Sequence, residues 1–243
     1  MDPQTAADSF ARRLRESARE ERAVKEQAYL KSDLQHVGAS VPQIRAAAKD
    51  LHRSAPNLSH AQVVELVRSL WKRPIHECRV GCVELLWLYR DKLRPTDMAL
   101  LEKLLRESKT WALVDSLAVN VTGDLVERYP QLGSVLDRWA RDDDFWIRRS
   151  AMLGLLKPLR RGEGDFERFA GYADAMLEEK EFFIRKAIGW VLRETAKKQP
   201  DLVHEWLVPR TSRASGVTMR EAVKPLSSQQ AEALMAAYRE RKP

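Results

Sequence analysis

Apolar residues recur at spacings of three and four along almost the whole chain, and this spacing constrains the fold more than any other feature. One segment places Val114, Leu117, Val121 and Leu125 on a single helical face, as an amphipathic helix requires. No stretch alternates polar and apolar residues in the manner of a half-buried strand. The ten glycines and eleven prolines are few for 243 residues, and most lie between the periodic segments. The pattern therefore predicts an all-α fold.

Signals for helix ends divide the chain into thirteen predicted helices. Pro42 suits a first helical turn. Ser59 with Gln62, and Ser227 with Gln230, match the capping box, in which a hydroxyl and a side-chain amide satisfy free backbone groups. The predicted helices span residues 8–32, 42–54, 59–72, 75–91, 96–107, 111–128, 130–141, 145–158, 165–178, 181–198, 200–207, 217–223 and 227–240.

A weak internal repeat suggests how these helices are arranged. Residues 145–149 resemble residues 182–186 at an offset of 37, and residues 111–115 align with 145–149 at an offset of 34, which puts Asp115 opposite Arg149. Helix pairs repeated at this period are typical of HEAT-like or armadillo solenoids, whose equivalent helices line one concave groove. The sequence predicts an all-α, HEAT-like helical-repeat solenoid that forms a single domain over residues 1–243.

The charge balance favours an anionic partner. Lysine and arginine number 42 against 35 aspartates and glutamates, which gives a net charge of +7, and such a balance suits nucleic acid. No apolar run reaches the length of a membrane span, and the first residues lack the basic and apolar regions of a secretory signal. We therefore expect a cytoplasmic protein that does not contact membranes.

The sequence offers little support for metal or cofactor chemistry. Cys78 and Cys82 are four apart and read as two small apolar residues on one helical face. The five histidines include no His-x-x-x-His pair, and the chain contains neither a glycine-rich phosphate loop nor a nucleophile elbow. We expect neither a metal site nor a cofactor.

Two tryptophans lie off the apolar faces of their predicted helices. Trp111 and Asp115 are four apart at the rim of an apolar stripe, an arrangement that suits either a half-buried site or an ordinary core edge. Trp190 lies about 130° from its helix's apolar stripe, between Lys186 and Arg193. Aromatic rings among cations suit nucleic acid, but packing against a neighbouring helix would also explain Trp190. Both readings stay open on this evidence of spacing alone.

At these residues the sequence resembles the AlkD-like DNA alkylation-repair glycosylases, all-helical proteins of HEAT-like repeats that excise N3- and N7-alkylated purines. The most specific segment ends in Gly-Trp-Val-Leu-Arg-Glu, whereas Trp-x-x-x-Asp alone would be a weak signal. The segments that carry the resemblance are 28–32 (Ala-Tyr-Leu-Lys-Ser), 110–115 (Thr-Trp-Ala-Leu-Val-Asp), 146–151 (Trp-Ile-Arg-Arg-Ser-Ala), 182–194 (Phe-Phe-Ile-Arg-Lys-Ala-Ile-Gly-Trp-Val-Leu-Arg-Glu) and 215–222 (Ser-Gly-Val-Thr-Met-Arg-Glu-Ala).

The resemblance assigns roles to individual residues. It implies that Asp115 is the catalytic carboxylate and that Trp111 and Trp190 are the aromatic walls of the active cleft. It makes Arg149, rather than its neighbour Arg148, the main cation on the DNA backbone. Further DNA-binding candidates are Tyr29, which the resemblance suggests as another cleft aromatic, together with Arg148, Lys186 and Arg193.

The resemblance also implies an activity and a partner. We expect a monofunctional glycosylase that needs no cofactor, acts as a monomer on double-stranded DNA containing 7-alkylguanine or 3-alkyladenine, and binds it in a concave basic groove. The alternative is a non-catalytic HEAT-like scaffold that binds DNA structures or another protein, because a fold does not fix a function.

Overall fold

The computed structural model describes residues 2–240 and is 75% helical. In that part of the chain no strand forms, and the bridge between Gln35 and Ile75 is isolated. The all-α prediction is therefore confirmed. The α-helices are α1 (Pro3–Glu16), α2 (Glu20–Leu30), α3 (Val41–Ser54), α4 (His60–Trp71), α5 (His76–Leu88), α6 (Met98–Ser108), α7 (Trp111–Ser116), α8 (Gly123–Arg128), α9 (Gly133–Trp139), α10 (Phe145–Leu153), α11 (Leu156–Arg160), α12 (Phe166–Ala175), α13 (Phe182–Ala196), α14 (Pro200–Leu207), α15 (Gly216–Ala222) and α16 (Ser228–Glu240).

Shorter helical elements connect several of these helices. A π-helical segment, Leu117–Thr122, directly continues α7. Single 3₁₀ turns occur at Arg90–Lys92, Pro95–Asp97, Pro130–Leu132 and Val208–Arg210.

Local sequence signals place several helix starts correctly. The capping box at Ser59 is present, since the Ser59 N–H donates to Gln62 Oε1 at 2.9 Å and the Gln62 N–H donates to Ser59 Oγ at 3.3 Å. The equivalent pair forms at Ser227 and Gln230, and Pro42 lies in the first turn of α3. These predictions are confirmed.

Three predicted helices are each two α-helices in the structure. The helix predicted over 111–128 is α7 and α8, joined by the π-helical segment. The helix predicted over 8–32 breaks at residues 17–19, where the Arg19 N–H donates to the Val37 carbonyl at 3.0 Å instead of continuing a helix. The helix predicted over 145–158 ends at Leu153, and α11 begins at Leu156. Pro158 explains this last break, because a proline is tolerated in the first turn of a helix but removes a hydrogen bond from its interior.

The chain divides after Val121 into two compact units. In the first unit, α1 packs on α3 and α4, α5 packs on α3 and α4, and α7 packs on α5 and α6. Leu66, Leu70 and Leu85 are among the fully buried side chains of its core. Cys78 and Cys82 are free and buried, as predicted for two small apolar residues on one helical face.

In the second unit, α13 packs against α10, α11, α14 and α15. Gly189 allows α15 to approach closely, because a Cβ at this position would lie 2.8 Å from Glu221 Cβ.

Polar contacts between helices recur at similar separations along the chain. Trp71 Nε1 donates to Glu107 Oε2 at 2.8 Å across 36 residues, and the Tyr89 hydroxyl donates to the Ala55 carbonyl at 2.7 Å across 34. In the second unit, Arg210 Nε donates to Asp174 Oδ1 at 2.8 Å, again across 36 residues. These separations match the predicted repeat period, so the helical-repeat prediction is confirmed. That one domain spans residues 1–243 stays a prediction.

Across the described residues, no helix combines the length and the apolar character that crossing a membrane requires.

Candidate functional site

Two large aromatic side chains lie together on the surface of the first unit. Tyr29, in the last turn of α2, is 73% exposed, and Trp111, the first residue of α7, is 37% exposed. Their ring centroids are 6.2 Å apart, and the rings meet edge to face at 87°. Single exposed apolar residues are common, but exposed aromatic pairs are more typical of binding surfaces. We call this pair the Tyr29–Trp111 surface.

The backbone on both sides of the Tyr29–Trp111 surface has an unusual conformation. Lys31, two residues after Tyr29, has φ 48°, and Lys109, two residues before Trp111, has φ 50°. Within residues 2–240, these two are the only residues other than glycine with positive φ. Both are the C-cap residues of their helices, α2 and α6, and a left-handed residue is a common way for a helix to end.

Asp115 lies one helical turn after Trp111, so both side chains are on the same side of α7. The Asp115 side chain is half-buried, between the buried Val114 and the half-buried Ser116. The π-helical segment begins two residues later, at Leu117. Such segments are rare in proteins and frequently mark functional sites. The first unit therefore presents a carboxylate, two exposed aromatic rings and irregular backbone in one place.

Trp190 lies on α13 in the second unit and is half-buried. The cations on either side of it both bind Glu221 of α15. Lys186 Nζ lies 2.7 Å from Glu221 Oε1, and Arg193 Nη1 donates to Glu221 Oε2. Lys224 Nζ lies 3.0 Å from Glu221 Oε1. These cations, led by the Lys186 hydrogen bond, lower the pKa of Glu221 to about 2.

A second buried carboxylate, Glu194, extends this cluster. Arg160 Nε lies 2.9 Å from Glu194 Oε2, and Lys197 Nζ lies 2.8 Å from Glu194 Oε1. Arg193 Nε is 3.4 Å from the same oxygen. Five cations thus share two carboxylates and leave local positive charge beside Trp190. We call these seven residues the α13 basic cluster: Arg160, Lys186, Arg193, Glu194, Lys197, Glu221 and Lys224.

Arg148 and Arg149 are held inside the second unit. Arg149 is 2% exposed; its Nη1 donates to the Phe183 carbonyl, and its guanidinium carbon lies 5.8 Å from the centre of the Phe183 ring. Arg148 Nη2 donates to Glu179 Oε2 at 2.8 Å. Arg149 is buried because α13, which carries Phe183, packs against α10.

The internal repeat accounts for the hydrogen bonds of Arg148. Its Nη1 donates at 2.6 Å to the carbonyl of Asp142, six residues earlier. Arg185 is the equivalent residue of the next repeat, and its Nε donates at 2.6 Å to the carbonyl of Glu179, also six residues earlier. An arginine at this repeat position therefore donates a hydrogen bond to the loop that precedes its own helix and holds that loop in place.

Sequence reasoning missed Glu194 and Glu221. One signal was available, since Lys186, Arg193 and Lys197 share one face of a predicted helix and need a counter-charge. No spacing rule connects that helix to Glu221, which lies 28 residues beyond Arg193. The π-helical segment after Asp115 was also missed, because its apolar spacing resembles that of an ordinary helix.

Comparison with known proteins identifies the family of this fold. The family described as "DNA alkylation repair enzyme" matches residues 10–226. A predicted DNA alkylation repair enzyme from Enterococcus faecalis is 21% identical, with a TM-score of 0.79 over 87% of this chain and 98% of that chain. AlkD2 from Streptococcus mutans is 16% identical, with a TM-score of 0.62 over 85% of this chain and 100% of that chain.

A search of curated protein sequences finds no match. The two structural likenesses show a shared fold, and the family match covers most of the sequence. The chain therefore belongs to the family of DNA alkylation repair enzymes.

Proposed function

We propose that the protein is a DNA glycosylase that hydrolyses the N-glycosidic bond of cationic alkylated purines in duplex DNA, with Asp115 as its catalytic carboxylate. Membership of a DNA alkylation repair family supports the general activity. The observation that carries the specific proposal is the position of Asp115, one helical turn from the Tyr29–Trp111 surface. A substrate that contacts these exposed rings would lie next to the carboxylate.

The chemistry follows from the charge of the damaged base. Alkylation at N7 of guanine or N3 of adenine makes the base cationic, so it departs readily with the electron pair of the C1′–N bond. Positive charge then develops on the deoxyribose. Water adds its oxygen to C1′ and gives up a proton, and a carboxylate beside the sugar stabilises the charge and orients the water.

The size of this effect explains a preference for damaged bases. Two unit charges about 4 Å apart interact by about 4 kcal/mol at an effective dielectric constant of about 20, which corresponds to roughly a thousandfold in rate. A thousandfold is substantial for a labile cationic lesion and too small to cleave an intact nucleotide. Selectivity can therefore come from the lability of the substrate itself.

We assign the remaining candidate residues to DNA binding. Tyr29 and Trp111 offer aromatic faces to the cationic base or sugar, worth about 0.5–2 kcal/mol each. Lys186 and Arg193 contribute to the positive field of the α13 basic cluster, which suits phosphates. The participation of Trp190 in the reaction rests on the family resemblance.

In this proposal Arg148 and Arg149 are secondary contacts to the DNA phosphates. A phosphate would have to compete with the Glu179 carboxylate for Arg148 and with the Phe183 carbonyl for Arg149. We also propose, from the sequence, that the protein acts in the cytoplasm as a monomer.

The decisive experiment measures release of 7-methylguanine from methylated duplex DNA. Asp115→Asn should lower the single-turnover rate by roughly a thousandfold while leaving DNA affinity unchanged or higher, since it removes negative charge. Asp124→Asn is the matched control, because Asp124 is another half-buried helical aspartate, which pairs with Arg128 at 2.9 Å and has no assigned role; its release rate should stay close to wild type.

Equal release by wild type and Asp115→Asn would remove Asp115 from the mechanism. DNA binding with no release by the wild-type protein would favour the non-catalytic scaffold instead.

A further inference from the structure

A buried histidine in the first unit has no hydrogen-bond partner. His36, in the loop between α2 and α3, is 8% exposed, and neither of its ring nitrogens meets a donor or acceptor among the described residues. The ring stacks on His76 with centroids 4.4 Å apart and an angle of 8°. Buried polar atoms are nearly always satisfied in native proteins, so a buried ring with two unpartnered nitrogens is a candidate ligand.

Two carboxylates face this ring from different helices. Glu26 comes from α2 and Glu77 from the first turn of α5. One oxygen of each carboxylate and one ring nitrogen of His36 all lie within 4.8 Å of one another. Donor atoms around a tetrahedral zinc ion lie about 3.4 Å apart, given bonds of about 2.0–2.2 Å. Small side-chain rotations would therefore bring the three groups to ligand distance.

The backbone holds one of these ligands in place. Glu77 is fully buried and accepts hydrogen bonds from the backbone N–H groups of Val37, at 3.0 and 3.1 Å, and of Gly38, at 2.6 Å. These bonds fix its carboxylate beside the His36 loop. Glu26 is half-buried, and its carboxylate is 3.2 Å from Arg22 one turn earlier on the same helix. The exposed end of Glu26 can thus move toward a bound ion.

The electrostatic setting favours a cation. Glu26 and Glu77 place two negative charges beside the His36 ring. The nearby cations are Arg22, which pairs with Glu26, and Arg79, which faces His76.

We infer that Glu26, His36 and Glu77 form a binding site for one divalent transition-metal ion, best represented by Zn²⁺. One imidazole nitrogen and two carboxylate oxygens form a mixed set that suits zinc, with water as the fourth ligand. The ion would join α2, the loop and α5. Because Tyr29 lies on α2 three residues after Glu26, the ion would also fix the end of the helix that carries the Tyr29–Trp111 surface.

This inference departs from the sequence expectation of no metal site. The three ligands come from separate segments, ten and 41 residues apart in the chain, so no motif connects them.

The experiment adds Zn²⁺ to the full chain after chelator treatment and dialysis. Equilibrium dialysis should give one zinc ion per chain, and the Tm should rise by about 5 °C at a hundredfold excess over the Kd. Mg²⁺ should neither bind at this stoichiometry nor shift the Tm, because it selects oxygen ligands in octahedral geometry. No stoichiometric zinc in the wild-type protein, or equal binding of both ions, would overturn the inference.

Two variants and two controls locate the ion. His36→Phe keeps a ring for stacking on His76 but removes both nitrogens, and Glu26→Gln keeps the side-chain shape; each should weaken zinc binding at least a hundredfold. His52→Phe is the control for the first, since His52 also contacts an aromatic ring, that of Tyr89 at 4.6 Å. Glu21→Gln is the control for the second, since Glu21 forms a comparable pair with Lys25 on α2.

Far-UV circular dichroism before zinc addition checks that each variant is folded. Unchanged zinc binding in folded His36→Phe or Glu26→Gln would contradict the assignment, as would loss of binding in either control. Glu77 is left intact because its hydrogen bonds to Val37 and Gly38 hold the loop.

Discussion

Exposed aromatic side chains are the strongest indicators of function in this molecule. Trp111 lies on the surface although burying a tryptophan is among the largest single gains in folding. It is 37% exposed and contacts Tyr29, another exposed ring. Tyr29, at 73% exposed, contributes little to folding stability, and Trp111 is less covered than a core tryptophan such as Trp139.

Trp111→Ala should lower the rate constant for 7-methylguanine release about 5-fold to 30-fold, because it removes a stacking face worth about 1–2 kcal/mol. The Tm should change by only a few degrees. The matched control is Trp87→Ala, since Trp87 is a half-buried tryptophan of the same unit that packs under Arg90 at 4.3 Å. Trp87→Ala should lose stability and keep its release rate. A Trp111 variant that loses stability but not activity would contradict the proposed role.

At the residue scale, the sequence predicts contacts within a helix better than contacts between helices. Trp111 and Asp115 are four apart, so a helix brings them to one side whatever surrounds it. The contact between Tyr29 and Trp111 joins residues 82 positions apart and depends on tertiary packing. The burial of Arg149 was not predictable for the same reason, because a helical wheel identifies one apolar face and α10 is covered on more than one.

At the scale of the elements, the contact between α13 and α15 depends on a glycine and a carboxylate. Gly189 lets the helices approach, and Glu221 then reaches Lys186, Arg193 and Lys224. The Glu221 side chain is 10% exposed. A carboxylate buried this deeply stabilises the fold only while it is ionised and paired.

Glu221 should therefore make stability depend on acid pH. The pKa of Glu221 is lowered from 4.5 to about 2, so the ionised carboxylate contributes fully above pH 4.5 and loses its contribution as the pH falls toward 2. We expect Glu221→Gln to be about 3 kcal/mol less stable at pH 7, and the difference to shrink steadily between pH 4.5 and 2. Urea unfolding at several pH values measures this.

The control for that series is Glu178→Gln, since Glu178 is an exposed partner of Arg213. It should differ little from wild type at any pH, because exposed ion pairs contribute at most about 1 kcal/mol. A constant gap between wild type and Glu221→Gln from pH 7 to pH 2 would show that the carboxylate's charge does not stabilise the α13–α15 contact.

Helix starts were predictable where local chemistry decides them, as at the capping box of Ser59. Helix breaks were less predictable. The break at residues 17–19 depends on a hydrogen bond from Arg19 to Val37, which belongs to another segment. The π-helical segment Leu117–Thr122 escaped prediction because one extra residue per turn barely alters the apolar spacing.

At the scale of the whole molecule, the two units carry different kinds of candidate residue. The first unit holds Asp115, the Tyr29–Trp111 surface and the inferred metal ligands. The second holds Trp190 and the α13 basic cluster. Net charge and composition predicted an anionic partner, but they could not locate the charge, since that depends on which cations share a carboxylate.

This division predicts that substitutions in the α13 basic cluster change DNA affinity without changing the rate of base release. Each lysine that neutralises a phosphate releases about one counterion, so the slope of log affinity against log salt should fall by about 0.9 for each such contact removed. Lys186→Gln should reduce the slope by about that amount and weaken binding in low salt. Its single-turnover rate at saturating protein should stay near wild type, because the carboxylate proposed for catalysis belongs to the first unit.

Arg161→Gln is the matched control for this measurement, because Arg161 is an exposed cation of the second unit, outside the α13 basic cluster, that pairs with Glu127 and Glu163. Its salt slope should equal that of wild type if position, rather than net charge, governs binding. Equal slopes for Lys186→Gln and wild type would mean that Glu221 holds Lys186 too tightly for it to contact a phosphate. A large loss of rate at saturation would instead tie Lys186 to the chemical step, and the separation of affinity from chemistry would fail.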